Sequence, residues 1–153
     1  MNIKSSIRIV SLAFALCVGL LSTNAADKHD HKHQATPKGG RLLDKTEPHA
    51  EFVVEKDRTV TINFYSEDMK PVAVSTQTVV VVADGTEGKV KLEFEKKGES
   101  LVSKAKLPEG DGYNVVVQFK QTAESKPQNL RFKLDMHTCG ECKRAEYACI
   151  CDH

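Results

Sequence analysis

Hydrophobic and polar side chains alternate with a period of two between residues 41 and 135, which is typical of strands with one buried face. An unbroken apolar run at Thr78–Ala83 predicts a strand that is covered on both faces or paired centrally. Ser100–Ala105 predicts a weaker strand. The five alternating segments are Phe52–Val54, Val60–Phe64, Val90–Phe94, Val115–Phe119 and Leu130–Leu134.

These patterns predict an all-β domain at residues 41–135 with no long helix. Turn-forming residues separate the segments, so about seven strands fit into about 95 residues, close to the size of an immunoglobulin-like sandwich. We therefore predict a seven-stranded antiparallel sandwich, with a small β-barrel as the alternative. Tyr113 follows a glycine-rich turn, and we expect its hydroxyl group to reach nearby backbone.

Residues 1–26 have the three parts of a secretory signal peptide. Lys4 and Arg8 supply positive charge, Ile9–Leu21 is apolar, and small residues follow up to Ala26. The apolar run is short for a membrane span, which needs about 20 residues. We therefore expect cleavage after Ala25 or Ala26, export to the periplasm or beyond the cell, and no membrane span in the mature chain.

Residues 27–40 are predicted to be a histidine-rich linker. His29, His31 and His33 occupy every second position, so their side chains share one side of an extended chain. Neutral imidazoles suit Zn, Cu or Ni. Cleavage after Ala26 would also place His29 third in the mature chain, where it completes a planar nitrogen site for Cu(II) or Ni(II).

The C-terminal segment, residues 136–153, concentrates soft metal ligands. Cys139 and Cys142 form a CxxC pair, Cys149 and Cys151 form a CxC pair, and six residues separate the two pairs. The spacer is long enough to fold the second pair back onto the first. Four thiolates can hold Zn tetrahedrally, and a subset can hold Cu(I). His137, His153 and Met136 are candidates to replace a sulfur.

Two other interpretations of the cysteines remain open. Cys17 leaves with the signal peptide, and the even number that remains in an exported chain also predicts disulfides. Cys-Gly-Glu-Cys is similar to a redox-active dithiol, although that motif belongs at a helix start in a βαβ unit. The flanking histidines favour metal binding over both alternatives.

Charge and motifs limit the remaining function classes. The chain has 22 Lys and Arg residues against 21 Asp and Glu, so no basic field predicts nucleic-acid binding. There is no nucleophile elbow, phosphate-binding loop or dinucleotide fingerprint. The carboxylates of the strands alternate along the expected solvent faces. We therefore expect a binding protein and not an enzyme.

The segments that carry a resemblance to known proteins are Pro37–Leu43, His49–Val54, Val60–Phe64 and Pro71–Val72. This part of the chain resembles a group of small exported β-domain proteins from Gram-negative bacteria. These proteins are encoded beside heavy-metal efflux systems of the resistance-nodulation-division type. The resemblance covers roughly residues 37–120 and leaves out the cysteine-rich tail. It implies a periplasmic location and a link to the export of Cu, Zn, Ni or Co. It supplies no set of metal ligands, and the long hairpin of periplasmic adaptors is absent. The resemblance therefore implies an accessory to a pump or to its adaptor.

Overall fold

The computed structural model of the protein describes residues 34–151, which form an all-β antiparallel fold. Within this range the only helical element is a 3₁₀ helix at Glu146–Ala148. Its nine strands are β1 (Arg41–Leu43), β2 (His49–Val54), β3 (Val60–Tyr65), β4 (Pro71–Val72), β5 (Thr78–Gly85), β6 (Gly88–Lys97), β7 (Ser100–Ser103), β8 (Tyr113–Lys120) and β9 (Gln128–Leu134).

All seven predicted strands are present, and the all-β class is confirmed. The two strands that were not predicted, β1 and β4, have only 3 and 2 residues, too few for an alternating pattern to be visible. The apolar run at Thr78–Ala83 lies in β5, which pairs with β6 on one side and β8 on the other. Its central position explains why both of its faces are apolar.

The strands form one sheet that is nearly closed into a barrel. Their order is β1-β2-β3-β7-β6-β5-β8-β9, and β4 pairs with β3. Strand β6 joins the two halves, because Gly88–Glu93 pairs with β5 while Phe94–Lys97 pairs with β7. The remaining gap lies between β1 and β9, which both line a cavity of about 230 Å³. The arrangement is thus close to the barrel alternative.

Inward-facing residues of the strands fill the barrel. Ile62, Val81, Leu92 and Val117 have no exposed surface. Phe64 and Phe119 meet with their ring centroids 6.3 Å apart. These positions follow the predicted alternation, because successive side chains of a strand point to opposite faces.

The loop before β8 is fixed by Tyr113, as predicted. Its hydroxyl group donates a hydrogen bond to the Pro108 carbonyl at 2.7 Å and accepts one from the Arg58 guanidinium at 3.0 Å. The same guanidinium donates to the Leu107 and Gly110 carbonyls. The loop that carries Asp111 is therefore held at a defined place at one end of the barrel.

Glu51 corrects the expectation that the strand carboxylates face solvent. This residue of β2 has no exposed surface. One of its carboxylate oxygens accepts hydrogen bonds from the Lys38 and Gly40 amides, at 3.0 and 2.8 Å, and the other accepts one from the Tyr65 hydroxyl at 2.6 Å. These bonds give both oxygens of the buried carboxyl group a hydrogen-bond partner. They also tie residues 38–40, at the end of the predicted linker, to the barrel.

Candidate metal centre

The first cysteine pair lies at the tip of a tight hairpin that follows β9. Thr138 and Ala145 form an antiparallel bridge at its base. The Cys139 amide donates to the Arg144 carbonyl at 2.7 Å, and the Lys143 amide donates to the Cys139 carbonyl at 3.2 Å. Lys143 has a φ of 62°, the left-handed conformation that a turn this tight requires. The hairpin therefore brings the two thiols to the same side.

The six-residue spacer folds the second pair back, as predicted. The Glu146 amide donates to the His137 carbonyl at 2.8 Å, and the Tyr147 amide donates to the Asp135 carbonyl at 2.9 Å. The 3₁₀ helix then turns the chain so that the CxC pair approaches the hairpin tip. Residues close in sequence thus form a compact loop around the sulfurs.

The four sulfurs lie at the separations expected around one metal ion. The Sγ atom of Cys149 is 3.4 Å from that of Cys139 and 3.6 Å from that of Cys142, and the Sγ atoms of Cys139 and Cys151 are 4.0 Å apart. All four lie within 4.8 Å of one another. Sulfurs bound tetrahedrally at about 2.3 Å from Zn²⁺ are about 3.8 Å apart. The observed distances lie on both sides of that value.

Backbone amides prepare one of these thiols, Cys142, to ionise. The amides of Ile150 and Arg144 lower the pKa of Cys142 to about 6. Burial, followed by the hydrogen bond with Cys149, raises the pKa of Cys151. Without a metal ion, one thiolate next to a neutral thiol is therefore favoured over two adjacent thiolates.

Two contacts fasten this loop to the barrel. The Arg41 guanidinium of β1 donates to the Tyr147 carbonyl at 3.1 Å and lies 4.9 Å from the centre of the Phe132 ring of β9. The Tyr147 ring is buried edge-on against Phe52, with centroids 6.1 Å apart, and its hydroxyl group accepts a hydrogen bond from the Val54 amide. The cysteine loop is therefore part of the folded core.

His137 lies outside the four-sulfur group. Its Nδ1 atom is 2.8 Å from Asp135 Oδ1 and 3.1 Å from Asp111 Oδ2. The hydrogen bond with Asp135 raises the pKa of His137 and lowers the pKa of the aspartate. Met136, the other candidate substitute for a sulfur, packs against the barrel core.

The other predicted ligands, His29, His31, His33 and His153, lie outside the described residues, as do the predicted signal peptide and its expected cleavage site. Sequence reasoning missed Arg41 and Tyr147, which fasten the cysteine loop to the barrel, and Glu51, which fastens residues 38–40 to it. Tyr147 carried a usable signal, since it is the only aromatic residue in the cysteine-rich tail. The roles of Arg41 and Glu51 depend on partners distant in the chain.

Comparisons with known proteins give no function for the four-cysteine cluster, so it is interpreted from its geometry alone. No protein-family model, no curated protein and no solved structure matches this chain. Across residues 34–151 no helix is both long and apolar enough to cross a membrane.

Proposed function

We propose that this chain is an exported metal-binding protein that holds one Zn²⁺ ion between Cys139, Cys142, Cys149 and Cys151. The observation that carries the proposal is the sulfur geometry: four thiols lie within 4.8 Å of one another, and three of the sulfur pairs are 3.4–4.0 Å apart. Tetrahedral sulfur sites are typical of zinc and of iron–sulfur centres. Cu(I), which also prefers thiolates, is the second candidate ion.

The donor set favours storage or transfer of the ion over catalysis. Four protein ligands leave no open position for a substrate, whereas a catalytic zinc keeps one position for water. Cys139 is buried, but the other three cysteines are only half-buried. A competing ligand can therefore approach the ion from solvent and exchange with one sulfur at a time.

The biological role that we propose is scavenging of metal ions in the periplasm as an accessory to heavy-metal export. Three sequence features support it: the signal-like residues 1–26, the histidine-rich segment that follows, and the resemblance to proteins encoded beside efflux systems. The partner would be an efflux pump or its periplasmic adaptor. The expected phenotype of a deletion is reduced growth at elevated Zn²⁺ or Cu⁺, and unchanged tolerance would contradict the link to export.

The two rival interpretations require different sulfur chemistry. A disulfide-bonded interaction module needs sulfur pairs at about 2.0 Å. None of the four described cysteines is in a disulfide, and the Sγ atoms of Cys139 and Cys149 are 3.4 Å apart. A dithiol oxidoreductase needs an exposed nucleophilic thiol with a single resolving partner. Here each sulfur lies among three others.

The decisive experiment titrates the reduced mature protein with Co²⁺ and follows the cobalt–thiolate charge-transfer absorption. We expect saturation at one ion per chain and displacement by Zn²⁺. Replacing all four cysteines with serine should abolish the band. The single variant Cys142→Ser should weaken it, since one thiolate is lost.

A matched control is His137→Gln, which removes an imidazole near the centre but no sulfur. It should leave the band unchanged. Absence of the band in the native protein, with all four tail cysteines oxidised after purification from the periplasm, would overturn the proposal in favour of the disulfide-bonded module. Insulin reduction that disappears in Cys139→Ala would favour the oxidoreductase.

A further inference from the structure

Two aspartates and a histidine converge close to the cysteine loop but separately from it. Asp111 lies in the loop before β8, Asp135 directly follows β9, and His137 lies two residues further on. One donor atom from each of the three side chains lies within 4.8 Å of the others. They come from two distant parts of the chain, so the fold brings them together.

Backbone amides orient both carboxylates toward the imidazole. Asp111 Oδ1 accepts hydrogen bonds from the Gly112 and Met136 amides, at 2.7 and 2.8 Å, so that Oδ2 faces His137. Asp135 Oδ1 accepts a further hydrogen bond from the His137 amide at 3.0 Å. Partners of this kind fix the direction of metal ligands before the ion arrives.

Two of the three donor–donor separations are close to coordination spacing, and the third is within 4.8 Å. Nitrogen and oxygen ligands bound tetrahedrally at about 2.0–2.1 Å from Zn²⁺ are about 3.3 Å apart. The distances from His137 Nδ1 are 2.8 Å to Asp135 and 3.1 Å to Asp111, so an adjustment of a few tenths of an ångström makes room for an ion. The His137 side chain is 81% exposed, which leaves a further coordination position open to water.

From this arrangement we infer a second metal site, in which Asp111, Asp135 and His137 bind a divalent ion of intermediate hardness such as Zn²⁺. The ion takes the place of any proton on Nδ1, which leaves to solvent, and no electron is transferred. The set of one imidazole and two carboxylates suits Zn²⁺, Co²⁺ or Ni²⁺ and disfavours Cu(I), which prefers sulfur.

This site differs from the sulfur centre in affinity and in access. It has three protein ligands instead of four and is more exposed, so we expect weaker binding and faster exchange. It uses none of the four cysteines, so its existence can be tested independently of the proposed function.

Cadmium NMR of the reduced, full mature chain separates the two sites, because the cadmium chemical shift distinguishes sulfur ligands from nitrogen and oxygen ligands. With excess Cd²⁺ we expect a sulfur-bound signal and a signal from nitrogen and oxygen ligands, together with shifts of the Gly112 and Met136 amide resonances. In Asp111→Asn and in His137→Gln, the amide shifts should require roughly 10–100-fold more Cd²⁺.

We expect Asp111→Asn to fold normally, because the asparagine oxygen can still accept hydrogen bonds from both backbone amides. The matched control is Asp57→Asn, which changes another aspartate that accepts a backbone amide, from Thr59, at a turn elsewhere. The control should bind like the native chain. Amide shifts that are absent in the native protein, or that persist unchanged in both site variants, would overturn the second site. Loss of the sulfur-bound signal alone would instead overturn the proposed function.

Discussion

Cys142, Cys149 and Cys151 differ as acids because their surroundings differ. Cys142 receives the Ile150 and Arg144 amides, which stabilise its thiolate and lower its pKa to about 6. The Cys151 amide acts in the same direction on Cys149, but burial and the neighbouring thiols outweigh it, and the pKa of Cys149 is raised. Within the cluster, Cys142 is therefore predicted to ionise before Cys149 and Cys151.

In the metal-free reduced protein at pH 7, we expect iodoacetamide to modify Cys142 before Cys149 and Cys151. A thiol with a pKa near 6 is about 90% thiolate at this pH, whereas an ordinary thiol is only a few per cent thiolate. Because a lowered pKa keeps the thiolate present above that pKa, the rate at Cys142 should fall about tenfold per pH unit below pH 6, whereas the selectivity should narrow as the pH rises and the other thiols ionise. Peptide mapping by mass spectrometry measures the order. Equal rates at the three positions would contradict it, and bound Zn²⁺ should slow all of them.

At the scale of the element, the hairpin tip depends on Lys143 and not on the glycine inside the motif. Lys143 has positive φ, whereas a Cβ atom added to Gly140 would have no neighbour within 4 Å. A non-glycine residue in the left-handed conformation costs on the order of 1 kcal/mol, and more if it is β-branched. The residue whose backbone conformation limits this turn is therefore Lys143, which directly follows Cys142.

We expect Lys143→Val to weaken Zn²⁺ binding severalfold, because valine resists this conformation. Lys143→Gly should bind Zn²⁺ as tightly as the native chain or slightly more tightly, since relief of strain offsets the greater freedom of the unfolded chain. Competition against a chromophoric zinc chelator measures both affinities. Gly140→Ala serves as the matched control and should behave like the native protein. Weak binding in Lys143→Gly or Gly140→Ala would show that another feature holds the turn.

The structural elements differ in how well the sequence predicted them. Strands such as β3 and β8 were predicted because their alternation reflects a local rule, and the cysteine cluster was predicted because its spacing is short. Glu51 was misplaced because its partners, the Lys38 and Gly40 amides and Tyr65, lie 11–14 residues away. The grouping of His137 with Asp111 was likewise not predicted, since their approach depends on how β8 and β9 pair.

At the scale of the whole molecule, the cysteine loop and the barrel share one hydrophobic core. Tyr147, only 6% exposed, lies between the cysteine loop and Phe52, while Arg41 connects the loop to both edge strands. Burial of Arg41 lowers its pKa, and burial raises the pKa of Tyr147. An interaction that orders the cysteine loop, such as the binding of a metal ion, should therefore also stabilise the barrel against unfolding.

We expect Zn²⁺ to raise the thermal unfolding temperature of the entire domain in a single transition. An ion that binds only the folded state stabilises it by about 2.7 kcal/mol at a concentration 100 times its dissociation constant. Circular dichroism of the β-sheet with Zn²⁺ or a chelator measures the effect. A sheet that melts at the same temperature in both conditions would show that the loop folds independently of the barrel.

Tyr147→Ala should lower both the unfolding temperature and the Zn²⁺ affinity. Removal of a buried aromatic ring costs about 3–5 kcal/mol. Tyr147→Phe is the matched control, because it keeps the ring and loses only the hydrogen bond from the Val54 amide, worth about 1 kcal/mol. A Tyr147→Ala variant that keeps native affinity would contradict the coupling.

The support of the cysteine loop by Arg41 and Phe52 also sets an order of assembly. Every described strand precedes Cys139, Cys142, Cys149 and Cys151 in the chain. The surface on which Tyr147 packs can therefore exist before the thiols meet. The metal ion would then enter a protein that is already folded, and its capture would report that folding has succeeded.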